Sequence, residues 1–287
     1  MPRAREAKFS DALFAQARDA MRLASARTPY PPRFVVEGAR CMARHLAMSA
    51  SRMEQLLPEA ALYQCFLPSA ISSDPAHFEH AASCLPVSFD RLRSELADSE
   101  QYPQLIVIAF HMSGMQLVAA LLNTAWKEMG RNSRHVLLAP RNMSWLRQQS
   151  GVWVTETAEA IAADRPGLRR LLSGLRDGSI QRLFALVDGP FAPGSAGTRA
   201  LTGISPDLCF RSGLLNSVLS MGIPVLPLTH YWESDRLVLD CHPILTSPRE
   251  GIDAVAGCIE ELLRKHPEQW LNWTAASLRT FTAQVSE

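Results

Sequence analysis

The residues Leu105–Ile106–Val107–Ile108–Ala109–Phe110 are six apolar residues in a row, three of them β-branched, and the run stops at His111. Such a segment reads as a strand buried on both faces, the kind that parallel sheets need. Ser113 and Gly114 supply a turn, and Met115 to Lys127 has helix-forming composition. Strand, turn and helix in that order predict one unit of an open α/β sheet. In such sheets ligands gather beyond the carboxyl ends of the strands, over helix N-termini. His111 stands at that place.

The chain beyond this unit keeps alternating. Strands are predicted at His135–Ala139, Gly151–Val154, Arg182–Val187, Pro224–Leu228 and Leu237–Leu239. Helices are predicted at Arg165–Leu175, with Gly178 after it, at Ser212–Met221 with Gly222 as its cap, and at Ile252–Lys265. Residues 189–207 are rich in Gly, Pro, Ser and Thr and read as a loop. The expected fold class is therefore α/β over residues 101–287: a largely parallel sheet flanked by helices. Residues 1–100 read as a helical N-terminal region. Phe9, Leu13, Ala17 and Met21 recur at four-residue spacing, a long helix spans Phe34 to Leu57 and closes at Pro58, and shorter helices break at Pro68, Pro75 and Pro86.

A chain of 287 residues with 47% hydrophobic and 20% charged residues can build a sizeable core. Its formal net charge of +1 argues against an extended nucleic-acid surface. Six cysteines form no C-x-x-C pair, and no stretch reads as a signal peptide, so reduced thiols and a cytoplasmic setting are expected. No window approaches the roughly 18 apolar residues of a spanning helix. The first helix is amphipathic, which leaves open either packing on the main domain or peripheral contact with a membrane.

Three arrangements could carry chemistry. His111 with Gln116 and the amides between them has the parts for acyl transfer: a base, a group to orient it, and N–H donors for an oxyanion. Ser113 as a nucleophile on a strand–turn–helix elbow lacks the flanking glycines, because His111 and Met115 hold those positions. A metal site from His230, Cys241 and His242 matches no ligand spacing, so no metal is expected. Gly194, Gly197 and Gly203 are followed by no G-K-[ST] and form no phosphate loop.

Several segments, taken in order, resemble one family. His111–Met112–Ser113–Gly114–Met115–Gln116 matches a histidine followed, after four residues, by a carboxylate. Arg165 to Gly178 matches the helix before the next core strand, and Leu186–Val187–Asp188 matches a strand ending on aspartate. Gly213 to Pro227 matches a helix–Gly–strand element, and His266–Pro267–Glu268–Gln269–Trp270–Leu271–Asn272–Trp273 matches a Pro-Glu-Gln-aromatic segment. Together they resemble the lysophospholipid acyltransferase-like superfamily, and within it the bacterial late acyltransferases of lipid A biosynthesis, over about residues 100–275.

The resemblance implies an acyl group moved from a thioester, on coenzyme A or an acyl carrier protein, to a hydroxyl or amine of a small-molecule or lipid acceptor, with no other cofactor. It implies His111 as general base and Gln116 as its orienter. Ser113 and Gly114 would offer amides to the oxyanion or the donor, while Arg141, Asp188 and Arg199 would line the cleft. The departures carry information. Gln116 stands for the family's carboxylate, Pro190 for its second aspartate and Ala139 for an arginine, and Thr274, Ala275 and Ala276 replace terminal basic residues. With those charges stripped, lipid A itself is not the expected acceptor. An amide in place of a carboxylate orienter costs about 10⁴-fold in the serine-protease triad. The alternative is a catalytically degenerate binding or accessory protein on the same fold.

Overall fold

The computed structural model describes residues 1–27, 30–74, 76–131, 133–137, 158–162, 165–188 and 197–273. Its centre is a six-stranded sheet in the order β3-β2-β4-β1-β7-β8. The strands are β1 Leu105–Ala109, β2 Ser133–Leu137, β3 Ala158–Ala162, β4 Arg182–Leu186, β7 Val225–Glu233 and β8 Arg236–Cys241. β1 pairs in parallel with β4 and with β7, β2 pairs in parallel with β3 and β4, and only β8 runs antiparallel, as the edge after a hairpin. The expected α/β class, with a largely parallel sheet, is what the chain forms.

Two helices set up the site by packing on opposite faces. α8 (Met115–Glu128) follows β1 and buries Leu117, Leu121, Leu122 and Trp126 against Leu105, Val107 and Ala109. α10 (Gly213–Ser220) precedes β7 and buries Leu215, Val218 and Leu219 with α9 (Arg165–Arg176) and α11 (Pro248–Lys265) on the face of Ile106, Ile108 and Phe110. α8, which follows β1, and α10, the helix between β4 and β7, therefore cover different faces of the sheet around the β1–β4 pair. This is a topological switch point, where open sheets leave a crevice.

The N-terminal helices are α1 Pro2–Ser25, α2 Arg33–His45, α3 Ala50–Ala61, a π turn at Leu62–Phe66, α4 Leu67–Ser72, α5 Ala76–Glu79, α6 Ala81–Cys84 and α7 Pro86–Ala97. They share cores with the sheet. Phe14 and Ala17 of α1 and Leu92 and Leu96 of α7 belong to the cluster that holds α8, and Met42 and Leu56 belong to the other. The helix expected over 34–57 is two helices, because Ala47 takes a positive φ of 50° and Ser49 caps α3 by accepting from Arg52 N. Pro58 lies inside α3 instead of ending it, since Ala60 and Ala61 are buried just beyond it. Pro86 sits in the first turn of α7, where a missing N–H costs nothing, whereas at Pro68 the chain does not break, because α4 runs on directly from the π turn.

Two further expectations change. The stretch 189–207 is not all loop: β5 Thr198–Leu201 and β6 Ser205–Arg211 form an antiparallel pair. β3 Ala158–Ala162 was not foreseen, and the strand expected at Gly151–Val154 lies outside the described residues.

Candidate active site

His111 is the second residue past the end of β1, and Asp188 is the second past the end of β4. The β1–β4 register pairs Leu105 with Arg182 and Ala109 with Leu186, a constant offset of 77 that also carries His111 onto Asp188. The two side chains meet there. Asp188 Oδ1 lies 2.7 Å from His111 Nδ1, and Oδ2 accepts from the His111 backbone N–H at 2.7 Å and from Trp270 Nε1–H at 2.6 Å. Asp188 is 1% exposed and surrounded by donors. A carboxylate that accepts at Nδ1 holds the imidazole in the tautomer with its lone pair on Nε2. The His111 side chain is 18% exposed, so that nitrogen belongs to a group solvent can reach.

This arrangement corrects the expected roles. The orienter of His111 is Asp188, not Gln116. Gln116 is buried in the first turn of α8, and its Oε1 has no hydrogen-bond partner among the described residues. Asp188 is not an open wall of the cleft; its carboxylate is consumed by holding His111 and Trp270. Arg199 lies on β5 and pairs with Asp253 of α11 at 2.7 Å, in an exposed pocket that Arg249, Thr198 and Ser212 also line. His111 does not line that pocket. Arg141 lies outside the described residues.

The turn after His111 explains which amides are free. Gly114 adopts φ +93° as the N-cap of α8, and a Cβ there would come within 2.8 Å of Trp232 Nε1. Only glycine meets both demands. The Ser113 N–H is not available to a ligand, because it donates to Gln269 O at 2.9 Å, and its hydroxyl is fully buried without a partner among the described residues. That burial also removes Ser113 as an exposed nucleophile. Met115 N–H closes back on Met112 O. Among the described residues, the N–H groups of Gly114 and Gln116 have no hydrogen-bond partner. They open a helix N-terminus within a few residues of His111, where negative charge is favoured.

His230 lies on the other flank of His111. The β1–β7 register pairs Ile106 with Val225, an offset of 119 that brings position 230 alongside 111. His230 is wholly buried; its Nε2 faces Met112 O at 3.4 Å and its Nδ1 has no partner among the described residues. Burial is the main cause that pushes its pKa down to about 4, against the smaller upward pulls of the Met112 carbonyl and Asp188 and with a small downward push from His111. At neutral pH it is an uncharged neighbour of the dyad. His242, the other histidine weighed for a metal, has its Nε2 3.0 Å from Thr229 Oγ1.

Sequence reasoning gives Trp270 no role beside His111, and it offers His230 only as a metal ligand that the spacing rejects. Trp270 stood in the Pro-Glu-Gln-aromatic segment without a partner, and only tertiary contact supplies one. Compared with protein-family models and with curated proteins, the chain matches no family and no relative. The fold and site define an α/β protein with a buried-carboxylate histidine dyad at its sheet switch point.

Proposed function

We propose that the chain is an acyltransferase that moves an acyl group from a thioester, on coenzyme A or an acyl carrier protein, to a hydroxyl or amine acceptor other than lipid A. One observation carries the reading: a histidine held by a buried aspartate at Nδ1, at the carboxyl ends of adjacent parallel strands, followed within five residues by two N–H groups at the start of α8 that have no partner among the described residues. The order of motifs that resembles the acyltransferase superfamily supports it.

In this reading the acceptor O–H or N–H gives its proton to His111 Nε2 as its heteroatom attacks the thioester carbonyl. The new C–O or C–N bond forms while the carbonyl electrons move to oxygen, which the Gly114 and Gln116 N–H groups receive. Collapse restores the carbonyl, breaks the C–S bond and sends the electrons to sulfur, and the thiolate takes the proton back from His111. Asp188 balances the charge on the ring while it is protonated, which an amide could not do.

Release of free thiol from acyl-coenzyme A and acyl carrier thioesters, measured with hydroxyl and amine acceptors, tests this. Wild type should exceed His111→Ala by about 10³-fold or more with at least one pair. Equal rates for all pairs would leave a binding protein on this fold. The six cysteines are all free thiols, which suits a reducing, cytoplasmic setting. No helix among the described residues is long and apolar enough to cross a membrane. Peripheral contact belongs to the reading through α1, whose Leu23 is exposed.

A further inference from the structure

The segment Pro267–Trp273 is fastened to the His111 turn on both sides. Trp270 forms an antiparallel bridge with Met112, Leu271 N–H donates to His111 O at 2.7 Å, and Ser113 N–H donates to Gln269 O at 2.9 Å. The Gln269 side chain ties the same segment to β7, since its Oε1 accepts from Trp232 N–H at 2.8 Å and its Nε2 donates to Trp232 O at 2.7 Å. Gln64 Nε2 donates to Glu268 O from the helical region at 2.9 Å, and Trp273 Nε1 donates to Pro267 O at 2.7 Å within the segment. Asn272 Nδ2 reaches Asp188 O at 3.3 Å. The strap thus holds His111 O, the Ser113 N–H, and both a carboxylate oxygen and the backbone carbonyl of Asp188.

We propose that Pro267–Trp273 is a positioning strap for the dyad and that Trp270 is the positioning residue that acts on His111 through Asp188. The inference rests on His111 being the base, as proposed above. A carboxylate has two oxygens and can turn about its Cβ–Cγ bond. Here Oδ2 is fixed by two donors from different elements, the β1 turn and the strap, which leaves Oδ1 aimed at Nδ1. Trp270 is 2% exposed, so its N–H has no water to turn to. Its hydrogen bond to a charged acceptor in a buried site is of the strong kind. Without that N–H one anchor of Oδ2 is lost, and the tilt of the carboxylate toward Nδ1 is set by the backbone N–H alone.

The test replaces Trp270 by Phe and, separately, by β-(3-benzothienyl)alanine, which keeps the indole shape and removes only the N–H. The readouts are the ¹⁵N shifts of the neutral His111 ring, assigned with His111→Ala, and the steady-state constants with whichever thioester and acceptor wild type uses. Wild type should show one tautomer with the proton on Nδ1. Both variants should show a mixture, and kcat should fall about tenfold with KM held. The isostere decides the matter if Phe fails to fold. A folded isostere with the wild-type ring shifts would overturn the inference and make Trp270 a core filler. If wild type transfers no acyl group, the proposed activity falls, and the ring shifts still decide the role of Trp270.

Discussion

At Asp188 the donor count settles what a conservative substitution would do. Asn at that position offers one acceptor and one NH₂ group in place of two acceptors. The Oδ2 site faces two fixed donors, His111 N–H and Trp270 Nε1–H, so the amide oxygen must sit there. The NH₂ then faces Nδ1 and forces the ring to accept there, with its proton moved to Nε2. Asp188→Asn should therefore keep the fold, shift His111 to the unproductive tautomer in ¹⁵N spectra, and lower kcat by about 10⁴-fold. Gln116 behaves oppositely. Among the described residues its Oε1 bonds nothing, so Gln116→Met should leave His111 in the Nδ1–H tautomer and kcat within about threefold. Gln116→Glu should lower the denaturation midpoint, because it buries a carboxylate without a donor; a stable, more active Glu variant would restore Gln116 as the orienter. Asp188 was legible as a strand-end aspartate, but its role was not, because the strand order that makes β1 and β4 neighbours skips over β2 and β3. A motif six residues long drew the partner from five positions on, whereas the sheet drew it from 77 residues away.

At the scale of elements, the β1–α8 junction concentrates the constraints. Gly114 has both a positive φ and no room for a Cβ, whereas Gly178, which follows α9, has φ +77° and nothing within 4 Å. Gly178→Ala should cost about 1 kcal/mol of stability, the conformational part alone. Gly114→Ala should cost about 3 kcal/mol, because displacement of the Trp232 indole is added, and it should also weaken thiol release by moving the turn that carries His111. Equal losses in urea unfolding would mean that Trp232 yields freely. The junction was legible because a two-sided buried strand, a glycine turn and an apolar helix are local patterns. β1, β4, β7 and α8 were read for the same reason. The β5–β6 pair was not, because residues such as Thr198 and Arg199 alternate without an apolar stripe, and their pairing is decided by packing on α11 through contacts such as Gly203 N–H to Glu260 Oε1 at 2.7 Å. The break between α2 and α3 was hidden likewise, since Ala47 carries no signal for a left-handed backbone.

For the whole molecule, the buried histidines make acid sensitivity a property of the fold. His230 has an ordinary histidine value of 6.5 once unfolded and about 4 when folded, so between these pH values the unfolded chain binds a proton that the folded chain refuses. Stability is then full above pH 6.5 and falls as the pH drops toward 4, by about 3 kcal/mol from this residue. Burial lowers His45 and His266 too, which adds to the loss in the same direction. Glu268 opposes it, since burial raises its carboxyl and acid relieves rather than worsens that strain. Urea midpoints taken at pH 7.5 and at pH 5 should fall for wild type and fall distinctly less for His230→Gln, whose amide can still donate to the Met112 carbonyl without titrating. A wild-type midpoint that stays level across that interval would mean that the folded site takes up the His230 proton as readily as the unfolded chain does. Burial would then not keep His230 neutral, and below pH 6.5 a positive charge would stand against the Met112 turn beside the dyad.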